Sequence, residues 1–329
     1  MPVPRRPPFR YQTTAVRPRW PDLPPDLRHA IEDRLGAPVI AAESALGGFT
    51  GGFAAVLDTA AGGRVFVKAA ALTEQAHLAD WYAREATLTA ALPIEVPAPR
   101  IRWTLVAAGY FVSCADAITG RMPDLPWQPD ELDAALSAYA RAAAALREPT
   151  ADLLRLGLPS LADLATGELA WWQEVAAGRE EMPPGPPDLS QRLADLVDLE
   201  ARLPHYAHGA RGVIHGDLRL DNTLIDTAGN AWICDWTWPC HGPAWFDLVG
   251  LLVTAHASGL DADTLFAEHP AGLDAPPDAL DVALAALSGY WLTGAAATPP
   301  LDASPHLRQH RRWSGEAALA WLAERSGWG

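Results

Sequence analysis

The sequence has few cysteines and no long apolar run. Its three cysteines, Cys114, Cys234 and Cys240, lack the spacing of a disulfide framework or a zinc site. No stretch resembles an uninterrupted transmembrane helix, and the first twenty residues contain no apolar run of signal-peptide length. We therefore expect a cytoplasmic protein that does not engage a membrane. Residues 1–20, which contain five arginines, are predicted to form a flexible basic arm.

Positive charge is also scarce. The 329 residues include 40 acidic and 25 basic side chains, which gives a net charge of −15. Proteins that bind nucleic acid usually carry a substantial basic surface, so we expect no nucleic-acid partner. An acidic surface attracts cationic small molecules. It is only weak evidence for a cationic ligand, because many ordinary proteins are also acidic. The hydrophobic content of 49% is enough for a substantial core or for two lobes.

One short segment concentrates the polar residues that phosphoryl transfer needs. His215-Gly216-Asp217 is followed by Asn222, and residues 223–234 have the pattern of a hairpin that returns Asp235 beside Asn222. A carboxylate can orient an attacking hydroxyl, and carboxylate and amide oxygens can bind the Mg²⁺ that neutralises a triphosphate. The pattern predicts Asp217 as a catalytic residue and Asn222 and Asp235 as metal ligands. A polar surface loop would be the better interpretation of any one of them alone.

This segment resembles the signature of the aminoglycoside phosphotransferase and choline kinase-like family, whose members are distant relatives of protein kinases. The matching residues are His215-Gly216-Asp217, Asn222 and Ile233-Cys234-Asp235-Trp236. The resemblance implies that Asp217 is the catalytic base, that Asn222 and Asp235 bind Mg²⁺, and that ATP or GTP is the co-substrate. Asp247, in a downstream G-P-x-x-x-D-L string, is interpreted as a buried structural carboxylate.

A glycine-rich turn upstream resembles the loop that covers the nucleotide in this family. The residues predicted to contact the nucleotide there are Gly48, Thr50, Gly51 and Gly52. Glycines let backbone N–H groups approach phosphates without a clash at Cβ. The turn is not a strict G-x-G-x-x-G motif, so a plain hairpin turn remains the alternative.

Lys68 and Glu85 are predicted to form an ion pair. Lys68 ends the apolar strand 65–68, where the resemblance places a lysine that contacts the α- and β-phosphates. Glu85 lies on the apolar face of a helix predicted over residues 75–92, where a charge is expected only with a partner. Glu74 is the weaker candidate for the carboxylate that pairs with Lys68. The resemblance also implies a hinge after the strand 102–108, with main-chain contacts to the adenine near Ser113 and Ala115.

The role of Arg219 and the absence of several kinase motifs bear on which class of phosphotransferase this is. Arg219 follows the catalytic aspartate by two positions, so it either stabilises the γ-phosphate or is a solvated arginine, and both interpretations are open. The sequence contains no G-x-x-x-x-G-K-[ST] motif, which disfavours a P-loop kinase. It also contains no D-F-G or A-P-E segment, which disfavours a protein kinase.

The predicted fold is α+β, bilobal and protein-kinase-like. Residues 1–115 are expected to form a small nucleotide-binding lobe with an antiparallel sheet and one main helix. Residues 116–329 are expected to form a larger, mostly helical lobe that holds the catalytic loop and the acceptor. The predicted helices cover residues 25–35, 75–92, 130–148, 161–178, 189–203, 244–257, 262–268, 277–292 and 305–324.

The acceptor is expected over Asp217, between helix 161–178 and the C-terminal helices. Candidate lining residues are Trp171, Trp172, Glu174, Trp238 and Trp291, although packing is the commoner role for such side chains. Arg308, Arg311 and Arg312 make one helix face basic, which argues against assuming a polycationic acceptor.

The predicted function is ATP-dependent phosphorylation of a hydroxyl on a small molecule, either an antibiotic (an aminoglycoside or another natural product) or a related metabolite. One alternative is a metabolic kinase for an amino alcohol or a sugar. The other is a nucleotide-binding pseudokinase without activity. Whether the role is antibiotic resistance or metabolism, and whether the protein is a monomer or a dimer, both stay open.

Overall fold

The N-terminal part is built on a five-stranded antiparallel sheet. This computed structural model describes residues 6–298 and 303–328. The elements of the N-terminal part are, in chain order, α1 (Pro25–Leu35), β1 (Val39–Ser44), β2 (Phe53–Thr59), β3 (Arg64–Ala71), α2 (Ala76–Ala91), β4 (Ile101–Ala107) and β5 (Tyr110–Asp116). The strands lie in the order β1-β2-β3-β5-β4. The prediction of a small antiparallel sheet with one main helix, α2, is confirmed.

The period-two alternation of β3 decides what each face of this sheet contacts. Val67 and Ala69 are buried on one face and pack in a cluster with Leu27 of α1. Lys68 points to the other face, where its ammonium group meets Glu85 of α2. The sheet thus has one helix on each face, and the face of α2 carries the cleft.

The C-terminal part is mostly helical, with short hairpins at the cleft. Its elements are β6 (Gly120–Arg121), α3 (Pro129–Leu146), α4 (Ala151–Arg155), α5 (Leu161–Thr166), α6 (Trp171–Ala176), α7 (Leu189–Glu200), α8 (Leu203–Ala207), β7 (Val213–Ile214), β8 (Thr223–Asp226), β9 (Ala231–Ile233), β10 (Cys240–His241), α9 (Ala244–Ala257), α10 (Ala262–Glu268), α11 (Ala279–Ala296) and α12 (Leu307–Arg325). β7 pairs with β10, and β6 and β9 flank β8. The prediction of a mostly helical C-terminal part beside an antiparallel sheet is confirmed.

Helices α9 and α11 form the centre of the larger core. Both are buried almost all round, and together with α3 and α12 they contribute most of its apolar side chains. By length and composition alone, α11 is the one helix in the described ranges that could cross a membrane. In this helix, 72% of the residues are buried inside the protein, so it is a helix of the core.

The single helix predicted over residues 161–178 is wrong, because the structure has two short helices there. Gly167 ends α5, and the chain turns before α6 begins at Trp171. The carboxylate of Glu200, on α7, accepts hydrogen bonds from the backbone N–H groups of Trp172 and Gln173, both at 3.0 Å. The second helix therefore begins where a distant side chain satisfies its first N–H groups, and local periodicity does not reveal that position.

The expectation of a flexible N-terminal arm is wrong for residues 6–20. Tyr11 is 3% exposed, and its hydroxyl lies 3.0 Å from Nδ1 of His310 on α12. Thr14 donates a hydrogen bond to the carbonyl oxygen of Gly48 at 2.9 Å. The rings of Phe9 and Tyr11 lie edge-on to each other, with centroids 5.0 Å apart. Buried aromatic side chains between the arginines attach this segment to both parts of the molecule.

Candidate active site

The loop that contains His215, Gly216 and Asp217, called the catalytic loop below, is held by one buried carboxylate. Asp247, at the start of α9, accepts hydrogen bonds from the backbone N–H groups of His215 at 2.6 Å and Gly216 at 3.0 Å. Burial raises the pKa of Asp247 to about 7, and these two N–H groups oppose the shift. The interpretation of Asp247 as a buried, hydrogen-bonded structural residue is confirmed.

His215 links the catalytic loop to the hairpin that follows it. Its Nε2 lies 2.9 Å from the carbonyl oxygen of Cys234, and the backbone N–H of Asp217 donates to its Nδ1 at 3.3 Å. Burial lowers the pKa of His215 to about 4, so the ring is neutral at physiological pH. A neutral imidazole with its proton on Nε2 satisfies both contacts.

The hairpin brings Asn222 and Asp235 together, as the sequence predicts. Thr223 pairs with Ile233 between β8 and β9, and the N–H of Cys234 donates to the carbonyl oxygen of Asn222 at 2.8 Å. Asp235 follows directly in a left-handed conformation, with φ of 62°. Non-glycine residues seldom adopt this conformation, and they concentrate at functional sites.

Asn222 and Asp235 have the donor chemistry of a Mg²⁺ site. Asn222 donates its amide nitrogen to the carbonyl oxygen of Asp217 at 2.8 Å, which leaves its amide oxygen for a metal. Burial would raise the pKa of Asp235, but Lys68 and a hydrogen bond from Thr237 hold it below the ordinary value. An ionised carboxylate beside an amide oxygen fits Mg²⁺, which takes its other ligands from phosphates and water.

Arg219 lies between two carboxylates and is not solvated. Its Nη1 contacts Oδ1 of Asp217, and its Nε and Nη2 each bind a carboxylate oxygen of Asp221 at 3.0 Å. The side chain of Arg219 is 17% exposed. Burial raises the pKa of Asp217 to about 7, and the positive charge of Arg219 opposes the shift. Of the two interpretations of Arg219, the solvated one is therefore excluded.

The predicted ion pair is formed by Lys68 and Glu85, not by Glu74. The ammonium nitrogen lies 2.8 Å from Oε1 and 2.6 Å from Oε2 of Glu85. Burial lowers the pKa of Lys68, but the carboxylates of Glu85 and Asp235 more than offset this, so Lys68 is a cation. Lys68 is also the single lysine among the 329 residues. Every other residue of the Lys and Arg total is an arginine, so Lys68 stands apart from the other basic residues.

The glycine-rich turn forms the loop between β1 and β2. Gly48 and Thr50 line the cleft, whereas Gly51 and Gly52 are not among the residues that line it. Gly48 has a φ of 91°, which only glycine adopts readily. A Cβ on Gly52 would lie 2.5 Å from the Tyr82 hydroxyl, so this glycine allows close packing against α2.

Arg17 is a cleft residue that the sequence pattern does not reveal. Its guanidinium donates to the carbonyl oxygens of Ala45 at 3.0 Å, Gly47 at 3.1 Å and Gly52 at 2.9 Å, and it lines the cleft. The predicted basic arm contains this residue, but no local motif separates Arg17 from the other four arginines there.

The structure does not bring Ser113 and Ala115 to the cleft. Both lie inside β5, which is paired with β3 on one edge and β4 on the other. Their backbone groups belong to the sheet, and neither residue lines the cleft. Backbone groups that are available for an adenine edge therefore begin after Asp116.

The acceptor half of the cleft contains some of the predicted residues and not others. The whole cleft has a volume of about 550 Å³. Trp238 and Trp291 line it, but Trp172 is fully buried and donates its indole N–H to the carbonyl oxygen of Ala285. Glu174 pairs instead with Arg179. Further side chains that line the cleft include Trp81, Arg84, Leu164, Glu168, Leu287, Tyr290 and Arg311.

Comparison with known proteins identifies the family of this chain. The sequence model of the phosphotransferase enzyme family (APH) matches residues 48–279, which is most of the chain. No curated protein matches the sequence. The chain belongs to the phosphotransferase enzyme family, and it is thus a kinase-type phosphotransferase that acts on small molecules.

Solved structures share the fold at low sequence identity. A thermostable mutant of aminoglycoside phosphotransferase APH(4)-Ia is 15% identical, with a TM-score of 0.59 over 92% of this chain and 99% of that one. The GDP complex of aminoglycoside 2′-phosphotransferase-IIIa is 16% identical, with a TM-score of 0.58 and the same coverage. A putative fructosamine-3-kinase from Haemophilus somnus 129PT is 12% identical, with a TM-score of 0.55 over 90% and 96%. These likenesses establish the kinase-like fold.

Proposed function

We propose that this protein transfers the γ-phosphate of ATP or GTP to a hydroxyl group of an antibiotic or a related natural product, in the cytoplasm. The observation that carries the proposal is the convergence of Lys68, Asp217, Asn222 and Asp235 on one cleft. A chain that had lost its activity would be expected to lack one of these groups. Their joint presence supports an enzyme over a nucleotide-binding pseudokinase.

Each residue has a role that follows from its contacts. Lys68, held by Glu85, aligns the phosphates, and the glycine-rich loop covers them. Asn222 and Asp235 would hold Mg²⁺, which neutralises the charge of the triphosphate when bound. Thr50 supplies a hydroxyl at the loop and is expected to contact the phosphates.

Asp217 supplies the proton acceptor. The acceptor oxygen forms a bond to the γ-phosphorus, the bond from that phosphorus to the β-γ bridging oxygen breaks, and the hydroxyl proton passes to Asp217. A pKa of about 7 suits a group that takes up a proton near neutral pH. Arg219 acts through Asp217 as a positioning residue, because its guanidinium holds that carboxylate.

A metabolic kinase for an amino alcohol or a sugar is the second candidate. The likeness to a putative fructosamine-3-kinase supports it, because that neighbour is named for a sugar-derived substrate. The GDP bound to another neighbour supports testing GTP beside ATP.

The test is a coupled nucleotide-turnover screen with Mg²⁺, ATP and GTP, against aminoglycosides, other antibiotics, amino alcohols and amino sugars. We expect one acceptor class to stimulate turnover. Asp217→Asn should abolish that stimulation while nucleotide binding persists, and Asp195→Asn, at an exposed position on α7, should leave both unchanged. Undiminished transfer by Asp217→Asn would overturn the mechanism.

A further inference from the structure

Two arginines that line the cleft have no carboxylate partner in the described ranges. Arg84, on α2, donates its Nε–H to the carbonyl oxygen of Thr237 at 2.9 Å, and Arg311, on α12, donates from Nη1 to that of Gly294 at 3.1 Å. Most of the five N–H donors of each guanidinium therefore remain available. Both side chains line the cleft, so their charges face whatever enters it.

The carboxylates that line the cleft are committed elsewhere, with one exception. Asp217 and Asp221 bind Arg219, and Asp247 holds the catalytic loop. Asp235 interacts electrostatically with Lys68 and is a proposed metal ligand. Among the described residues that line the cleft, Glu168, an exposed residue after α5, is the one carboxylate that remains for a cationic ligand. Of the described side chains, a polyamine would thus meet one free carboxylate and two arginines.

Aromatic rings of the cleft lie beside each of the two arginines. Trp81 and Trp238 lie edge to face with ring centroids 5.5 Å apart, and the guanidinium of Arg84 lies 5.8 Å from the centroid of Trp238. The guanidinium of Arg311 lies 6.0 Å from the ring centroid of Tyr290. Rings next to guanidinium groups provide a surface for a flat apolar body that carries a negative group.

Tyr290 connects this surface to the catalytic residue. Burial raises the pKa of Tyr290, and the charge of Asp217 raises it further, while Arg311 lowers it. The tyrosine is therefore within electrostatic reach of both Asp217 and Arg311. Tyr290, Arg311 and Asp217 all line the same cleft, so a ligand held against Tyr290 and Arg311 would share that cleft with the proposed catalytic carboxylate.

We propose that the acceptor is an anionic hydroxyl compound with a flat apolar or aromatic body, and that the cleft selects against polycations. This inference rests on the proposed function and specifies its substrate class. The local charge is the opposite of the global one, because the chain carries a net charge of −15. The acidic surface would attract cations from a distance, but the acceptor half favours an anion at contact range.

The test uses three phenyl glycosides of similar size that differ in charge. They are phenyl β-D-glucuronide, which is anionic, phenyl β-D-glucoside, which is neutral, and phenyl β-D-glucosaminide, which is cationic. Each is titrated calorimetrically into the full chain with Mg²⁺ and a non-hydrolysable nucleotide. We expect the glucuronide to bind about tenfold more tightly than the glucoside, as a charge-assisted hydrogen bond would produce, and the glucosaminide to bind most weakly.

Arginine variants assign the preference to the cleft. Arg311→Met and Arg84→Met should each bring the ratio of glucuronide to glucoside affinity close to one. Arg312→Met is the matched control, because Arg312 is exposed, pairs with Glu316 at 2.9 Å and does not line the cleft. The control should keep the full preference.

Three outcomes overturn the proposal: a glucosaminide that binds as tightly as the glucuronide, a preference that survives both arginine variants, and no binding of any glycoside at its solubility limit. A failure of the proposed function itself looks different. In that case the non-hydrolysable nucleotide would show no Mg²⁺-dependent binding, or Asp235→Asn would leave that binding unchanged. Intact nucleotide binding with the wrong charge order removes only the acceptor class.

Discussion

Arg17 donates a hydrogen bond from Nη1 to the carbonyl oxygen of Gly52 at 2.9 Å, so the N-terminal segment holds the base of the glycine-rich loop. The same guanidinium binds the carbonyl oxygens of Ala45 and Gly47. Carbonyl groups that turn toward Arg17 leave the opposite, N–H side of the loop for phosphates. Arg17 lies outside residues 48–279, the part of the chain that matches the family.

Replacing Arg17 should weaken nucleotide binding more than it slows chemistry. Arg17→Met removes three hydrogen bonds to the loop, and at about 0.5–1.5 kcal/mol each we expect the nucleotide KM to rise at least tenfold. The value of kcat should fall less, because Asp217 is untouched. Steady-state kinetics with varied nucleotide check this. Arg19→Met is the control, because Arg19 is exposed and pairs with Asp22 instead. An unchanged nucleotide KM in Arg17→Met would show that the loop holds its shape without this residue.

The single lysine allows a direct chemical test of the phosphate site. An amine-directed reagent should modify one side chain, Lys68, besides the terminal amine, and Mg²⁺ with nucleotide should protect it. Glu85→Gln removes the carboxylate that keeps Lys68 protonated, so the lysine should react faster in that variant at pH 8. Peptide mass spectrometry over time measures both rates. Equal modification with and without nucleotide would place the phosphates elsewhere.

Gly216 should tolerate no side chain. Its φ is 78°, and a Cβ there would lie 2.2 Å from the carbonyl oxygen of Trp238. Gly216→Ala should therefore abolish turnover and lower the melting temperature. Gly229→Ala is a matched control, because Gly229 has a φ of 83° with open space around it. The control should lose only the conformational cost of about 1 kcal/mol and keep its activity. Equal losses in the two variants would exclude a special steric role for Gly216.

The pH dependence of stability should report Glu200. Burial raises the pKa of this carboxyl group from its ordinary value of 4.5 to about 7 in the folded protein. The folded state then holds the proton more tightly than the unfolded state, so the contribution of Glu200 is fully present below pH 4.5. It is lost as the pH rises through 7, by up to about 3 kcal/mol.

A variant isolates this contribution. In Glu200→Gln one N–H group of α6 loses its acceptor, so the variant should be less stable than the wild type at pH 5. The difference should shrink or reverse at pH 8, where the wild type must ionise a buried acid. Thermal unfolding across this range measures it, with Glu180→Gln at an exposed position as the control. A difference that does not change with pH would contradict the assignment.

Local motifs located the proposed catalytic residues because the geometry that unites them is local. Asp217, Asn222 and Asp235 are joined by a short loop and one hairpin, whose strand and turn signals are explicit in the sequence. The pair of Lys68 and Glu85 spans one strand and one helix, and the period of each element sets which way its side chains point. The two-part fold follows from the same periodic patterns.

The positions of Ser113 and Ala115 in the sheet could not be predicted from local sequence patterns. The sequence predicted the preceding strand, over residues 102–108, but placed residues 111–116 in a hinge. The structure has them in β5, between β3 and β4, so their backbone groups bond within the sheet.

By itself, then, the sequence determined which residues are proposed to carry the phosphoryl chemistry, because short-range strand, turn and helix signals bring them together. Only the tertiary structure decided that Arg17 holds the glycine-rich loop, that Glu200 caps α6, and that Arg84 and Arg311 line the cleft. Those relationships join segments far apart in the chain, and their distances depend on how helices and sheet pack. No local pattern of charge or hydrophobicity encodes that packing.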